Sequence, residues 1–341
     1  MPAQKPTIAL TLGDPAGIGP ELIAKLLNDP ANLQQGNIVL IGDPWLWEAG
    51  QKAAGLTVGT QAIASLAEVR AAAGDKPLFV AVDSVAPEQV RQGQAAASGG
   101  ASVLRILNLC MDAVLAGQID AICFAPLNKY AMKQSGMKFE DELHHFANYL
   151  KVDTYFCEFN TLDGLWTSRV SSHVPLKDAT SLLSKERIED ASRLIYDSLK
   201  AAGIVQPRVA VAALDTHGGD GGSCRREEID IIEPDVRSLQ QQGYPVEGPF
   251  PADTIFIKAR DGKYDAIVTM YHDQGQIAIK LLGFEKGVTV QGGLPIPITT
   301  PAHGTAYDIA GKNQANVNAM RNAYLIACRM GEAYRKRWGE S

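Results

Sequence analysis

Thr7-Ile8-Ala9-Leu10-Thr11-Leu12-Gly13-Asp14-Pro15-Ala16-Gly17-Ile18-Gly19-Pro20-Glu21 is the stretch on which the fold of this chain turns. A short apolar run leads into a glycine-rich loop, and Pro20 then stands in the first turn of a helical pattern, where its missing N–H costs nothing. This is strand, loop and helix in succession, the opening unit of an α/β sheet. The glycines let backbone approach a ligand closely, and the helix N-terminus favours anions. The loop is neither Gly-x-Gly-x-x-Gly nor a phosphate loop ending in Gly-Lys-Ser/Thr, so neither a Rossmann nor a nucleoside-triphosphate reading applies. By itself it fits a tight turn before a capped helix as well as it fits a ligand.

Working outward, the alternation continues. Thr7–Leu12, Asn37–Ile41, Leu78–Val82 and Ala121–Phe124 read as buried strands, followed later by Arg208–Ala213, Ala266–Met270 and Gly287–Val290. Pro20–Leu27, Ser102–Leu115, Lys185–Ala202, Arg226–Gln241 and Gln314–Arg335 carry helical spacing. Gly243–Pro251, with three prolines, reads as a loop. With 341 residues the chain exceeds one ordinary core, which predicts two α/β/α lobes. The polar stretch Lys133–Glu142 and a return near Gly283–Gly293 place one discontinuous lobe at 1–135 plus 285–341 and the other at 136–284.

Composition narrows the partners. A net charge of −6 without any basic cluster argues against nucleic acid, and Arg225-Arg226 is followed at once by Glu227 and Glu228. No run of about 18 apolar residues suggests a membrane span, and no signal-peptide pattern is evident, so a cytoplasmic location is expected. The five cysteines, scattered and without a Cys-x-x-Cys pair, fit reduced thiols.

Chemistry concentrates at strand ends, where open α/β sheets bind ligands. His173 (in Ser171-Ser172-His173-Val174-Pro175), His217 (in Thr216-His217-Gly218-Gly219-Asp220-Gly221-Gly222) and His272 (in His272-Asp273-Gln274-Gly275) each follow a strand. Three imidazoles meeting there would hold a divalent metal and leave a position open; spacing alone is equally met by structural histidines. Near the C-terminus, Ala302-His303-Gly304-Thr305-Ala306-Tyr307-Asp308 precedes a short helix and suits a binding loop, with Asp308 either a ligand carboxylate or a surface charge.

The Gly13–Glu21 and His303–Lys312 loops resemble the signature loops of the isocitrate and isopropylmalate dehydrogenase fold. Ser172-His173-Val174-Pro175-Leu176-Lys177-Asp178, Gly248-Pro249-Phe250-Pro251-Ala252-Asp253-Thr254 and His272-Asp273-Gln274-Gly275 with Lys280 resemble the 4-hydroxythreonine-4-phosphate dehydrogenase family of pyridoxine biosynthesis, in order along essentially the whole chain. The resemblance implies a metal- and NAD(P)-dependent oxidation of a β-hydroxy acid with loss of CO2, in a homodimer whose active site is shared between subunits. It assigns His173, His217 and His272 to one divalent metal (zinc, cobalt, manganese or magnesium) and His303, Gly304, Thr305 and Asp308 to NAD or NADP. Lys280 becomes a substrate contact or proton donor, and Asp253 and Asp273 become groups that orient ligands or waters.

Departures cluster at the substrate. Glu142 and Leu143 stand where that family carries a His-Thr pair, with His144 and His145 one register away; Thr289 replaces an asparagine and Ile298 an arginine. Loss of an arginine removes a bidentate anion donor. These changes point to a paralogue with an altered substrate, such as a four-carbon phospho sugar acid or a cis-dihydrodiol carboxylate, beside the family default 4-phosphohydroxy-L-threonine. A non-catalytic metal- or nucleotide-binding protein on the same fold is the reading from another class.

Overall fold

In the computed structural model, which describes residues 5–339, the strands are β1 (Thr7–Thr11), β2 (Asn37–Gly42), β3 (Gln61–Ile63), β4 (Leu78–Ala81), β5 (Ala121–Phe124), β6 (Cys157–Leu162), β7 (Leu165–Arg169), β8 (Val209–Ala212), β9 (Val246–Phe250), β10 (Ala266–Thr269), β11 (Val288–Gly292) and β12 (Ile298–Pro301). They alternate with helices and fall into two units. One comprises the chain through Asp153, Val288–Val290 and Leu294 onward; the other comprises Thr154–Gly287 and Gln291–Gly293.

The first unit orders its strands β3-β4-β2-β1-β5-β12, all parallel, with β11 antiparallel to β12. Every residue of β1 and β5 is buried, as expected for parallel strands covered on both faces. The core joins Ala9, Val39, Ile41, Ile122 and Phe124 to Phe146. Phe146 explains where the unit ends. The helix Glu142–Tyr149 commits this fully buried ring to the first core, so the chain leaves only after Asp153 and not in the stretch Lys133–Glu142.

The helix Ala97–Leu115 is, by length and composition alone, long and apolar enough to cross a membrane. Val103, Ile106, Leu107, Cys110, Met111 and Val114 nevertheless pack into the core, which accounts for its apolarity. The five cysteines are unpaired, and burial pushes the Cys110 and Cys123 thiols up to about 12.

The second unit runs β6-β7-β10-β8-β9, parallel except for the β6–β7 hairpin. That hairpin closes on Asp163 (φ 45°) and Gly164 (φ 88°), both left-handed as a tight two-residue turn requires. The segment Gly243–Pro251 is not simply a loop. It contains β9, which tolerates Pro249 because it is the terminal strand of this unit's order and pairs on one side, with a bulge opposite Ala210–Ala212. The helix expected over Arg226–Gln241 is a π turn, Glu228–Ile232, followed by an α-helix, Glu233–Gln241; Pro234, at the junction, has no N–H to continue the ladder.

Candidate active site

In the first unit the two expected binding loops are laced together. Ile18 N–H donates to the Thr305 carbonyl (3.1 Å), and a Cβ on Gly17 would lie 3.0 Å from Thr305. Asp14 is 2% exposed; its Oδ1 accepts the Ala16 N–H (2.8 Å) and its Oδ2 the Tyr307 hydroxyl (3.1 Å). Burial holds the Asp14 carboxyl above its ordinary 3.8, against those two hydrogen bonds, which lower it. Burial and the neighbouring Asp14 likewise raise the Tyr307 phenol. His303 Nδ1 faces the Gly304 carbonyl (3.0 Å), and the Asp308 carbonyl accepts the Lys312 ammonium (2.6 Å). A cavity of about 140 Å³ beside this seam is lined by Gly17, Pro20, Glu21, Trp45, Gln92 and Gly311.

Of the expected substrate residues, Lys280 is exposed whereas Glu142, Leu143, Thr289 and Ile298 are buried. Ile298 is fully buried and belongs to the apolar core, because β12 is flanked by β5 and β11. It offers no surface to a ligand, which corrects its assignment as a substrate contact. Leu143 and Thr289 are also buried. Glu142 is buried with its carboxylate 3.7 Å from Lys129 Nζ. Asp141 caps the following helix through the His144 N–H (2.9 Å) and binds His144 Nδ1 (2.6 Å). Burial raises the Asp141 pKa, but these bonds and nearby Lys129 bring it below the usual value. His145 pairs with Asn108 Oδ1 (2.9 Å), and burial lowers its pKa, favouring the neutral ring.

In the second unit the strand ends are tied to one another. Ser171 donates from N–H (3.1 Å) and Oγ (2.8 Å) to the Met270 carbonyl, joining the residues after β7 to those after β10. This brings the rings of His173 and His272 to 5.9 Å between centroids. His272 Nδ1 sits 2.8 Å from Asp273 Oδ1, a partner that favours the tautomer with its proton on Nδ1.

Gln274, not singled out from sequence, straps two strand ends together. Its Nε2 donates to the Ala213 carbonyl and its Oε1 accepts the Met270 N–H, both at 2.8 Å. Its place in His272-Asp273-Gln274-Gly275, with a side chain that donates and accepts at once, was the available signal.

His217 is held differently. It is exposed on a loop whose residues 217–222 all have positive φ, from His217 (54°) to Gly222 (92°). Among the described residues, neither His217 nor His272 belongs to a set of three metal-type ligand atoms within 4.8 Å of one another. The loop is anchored by Glu228, whose Oε1 accepts the N–H groups of Leu214 (2.9 Å) and Asp215 (2.7 Å). Burial, then Glu228 and Glu227, raise the Asp215 pKa. Asp253 is exposed in the first turn of the helix Ala252–Arg260. Lys280 is exposed on the helix His272–Gly283, eight residues and about 12 Å along the axis from His272.

Residues 34–327 match the family described as pyridoxal phosphate biosynthetic protein PdxA. The chain belongs to the PdxA family. It is 51% identical over 328 residues to a putative 4-hydroxythreonine-4-phosphate dehydrogenase 2 of Pseudomonas aeruginosa, covering 96% of this chain and 97% of the relative. To the D-threonate 4-phosphate dehydrogenase of Salmonella typhimurium it is 37% identical over 331 residues, covering 95% and 98%. The crystal structure of 4-hydroxythreonine-4-phosphate dehydrogenase from Klebsiella pneumoniae superposes with a TM-score of 0.82 at 31% identity, covering 97% of this chain and all of that one. This PdxA-family chain is thus an α/β oxidoreductase acting on a CH–OH group.

Proposed function

We propose that the chain oxidises the secondary alcohol of a small phosphorylated β-hydroxy acid, with decarboxylation, using a divalent metal and NAD or NADP. The observation that carries this reading is the meeting of His173 and His272 at adjacent strand ends, with Asp273 behind His272. Two imidazoles with that backing fit a divalent cation, and the cavity of about 140 Å³ lined by Gly17 and Gly311, beside the seam with Thr305, fits part of a cofactor. When bound, the metal would supply Lewis acidity at the substrate hydroxyl and carboxylate, and NAD(P) would accept hydride.

The protein's own part is to hold and orient. His173 and His272 offer nitrogen donors, Asp273 keeps the latter's tautomer, and exposed Lys280 offers a cation to an anionic substrate group or a proton to the product carbon. Asp253 serves as an orienting carboxylate, and His303, Gly304, Thr305 and Asp308 line the cofactor. His217 and Lys280 are assigned to completing the site with a second copy. The separation of Lys280 from its own His272 supports this, as does the apolar face of the same helix, where Ile277 (58%), Leu281 (83%) and Leu282 (40%) are exposed. A stripe of that kind next to functional side chains fits a homodimer contact.

The default substrate is 4-phosphohydroxy-L-threonine. The relative named D-threonate 4-phosphate dehydrogenase supports a four-carbon phospho acid as the second reading. The missing arginine at Ile298, which leaves no anion donor there, supports a cis-dihydrodiol carboxylate that needs less phosphate recognition. Steady-state NAD(P) reduction with both compounds and a terephthalate-type cis-dihydrodiol, with and without chelator, tests the proposal. Turnover abolished by chelator and by His272→Ala is expected, the latter loss exceeding the about hundredfold typical of removing an outer hydrogen-bond partner. Undiminished turnover after chelation would end the metal reading.

A further inference from the structure

Beneath the two imidazoles lies a buried polar network that binding a metal does not by itself require. Arg169, the last residue of β7, is 7% exposed. Its Nε donates to Ser172 Oγ (3.1 Å), beside His173, and its Nη1 to Asn160 Oδ1 (2.9 Å). Its Nη2 lies 3.5 Å from Glu158 Oε1, which also accepts from Asn160 Nδ2 (3.3 Å). Asn160 Oδ1 is in addition the acceptor for Gln276 Nε2, and Gln276 sits one turn beyond His272 on its helix. One carboxamide oxygen on β6 therefore receives hydrogen bonds from the strand that leads to His173 and from the helix that begins at His272.

Burying a guanidinium and two carboxamides is costly unless each is satisfied, and apolar side chains of similar volume are often as stabilising or more so. Stability alone does not account for such a network at this place. We propose that Arg169, Asn160 and Gln276 are positioning residues, a clamp that sets the separation of His173 and His272. Taking that pair as the metal-binding pair rests on the proposed function. The clamp acts through Ser172 on one side and through the first turn of the helix on the other. Functional groups generally need placing to within about 0.5 Å, and a network with fixed donor directions does this where an apolar contact can slide.

Two variants test it. Asn160→Leu leaves Arg169 and Gln276 without their shared acceptor, and the triple variant Asn160→Leu, Arg169→Leu, Gln276→Leu replaces the network by apolar packing. Each is compared with wild type by thermal melting, by Co2+ titration followed in visible absorption, and by the His173–His272 ring separation in crystal structures without added metal. The triple variant is expected to melt at or above the wild-type temperature yet to bind Co2+ about ten- to hundredfold more weakly, with the ring separation changed by more than about 0.5 Å. Wild-type affinity, spectrum and ring separation in the triple variant would overturn the clamp. Co2+ uptake unaffected by His173→Ala and His272→Ala would instead remove the metal reading, and the ring separation would still decide the clamp.

Discussion

The two candidate regions are built on opposite plans. In the first unit, the Gly13–Glu21 and His303–Lys312 loops are bonded to each other, share the buried Asp14–Tyr307 contact and pack tightly at Gly17, where a Cβ would lie 3.0 Å from Thr305. In the second unit, the functional side chains stand at strand ends with their heads largely exposed, and only the backbone and side chains behind them are tied. The first region is finished within one chain. The second has its supports in place and its donors open, which is what the proposed metal and second copy would need. Rigidity is thus spent on opposite layers: on the binding surface itself in one region, on the layer behind it in the other.

Three measurements sharpen or break that contrast. The largest effect is expected from Gly19→Ala, since a Cβ there would lie 2.1 Å from the Leu12 carbonyl oxygen and 3.0 Å from Ala125. Neither backbone nor strand can yield, so a loss of about 3 kcal/mol in urea unfolding is expected, the upper end for overpacking; a loss below about 1 kcal/mol would mean the first region is softer than described. Next comes Asp273→Ala, which removes the partner of His272 Nδ1. Metal affinity is expected to fall about ten- to hundredfold with an unchanged melting temperature, because Asp273 is exposed; a fall in melting temperature matching the fall in affinity would blur the distinction.

The smallest effect concerns Asp14. Burial raises its folded-state pKa, so the folded chain holds this proton more tightly than the unfolded chain. Its contribution to stability is therefore greatest in acid and declines as pH rises from 3.8 through the raised value. Asp14→Asn is expected to melt higher than wild type at neutral pH, within the about 1–2 °C that about 1 kcal/mol produces at this size. The advantage should vanish toward pH of about 4, and an advantage independent of pH would show that the carboxylate is not the cause.

The legible parts of the sequence were those governed by local pattern. β1, β2, β4 and β5 announce themselves as short apolar runs, and the glycine loop announces a strand-to-helix turn. β9 hid behind its prolines, and the β6–β7 hairpin behind Glu158, Asn160 and Thr161, of which Glu158 and Asn160 serve the Arg169 network rather than the solvent. Asp163-Gly164 was the cue to that hairpin. Arg169 at the end of a strand-like run was a cue to a buried cation. Ile298 could not be placed by comparing motifs, because its environment is set by β5 and β11, far away in the chain. Long-range pairing decides which side of a motif faces the ligand, and residue spacing does not record it.

The loop at His217 winds the wrong way. Residues 217–222 follow a left-handed path, and two of them, His217 and Asp220, are not glycine. An L-residue in that region forfeits about 1–2 kcal/mol relative to glycine, so His217→Gly would relax the backbone while deleting the imidazole. Selection for heat resistance alone would therefore pull His217 toward glycine, and selection for the turnover proposed above would hold it. The identity of the residue at this position, followed through a laboratory evolution experiment, would serve as a gauge of which pressure the population feels.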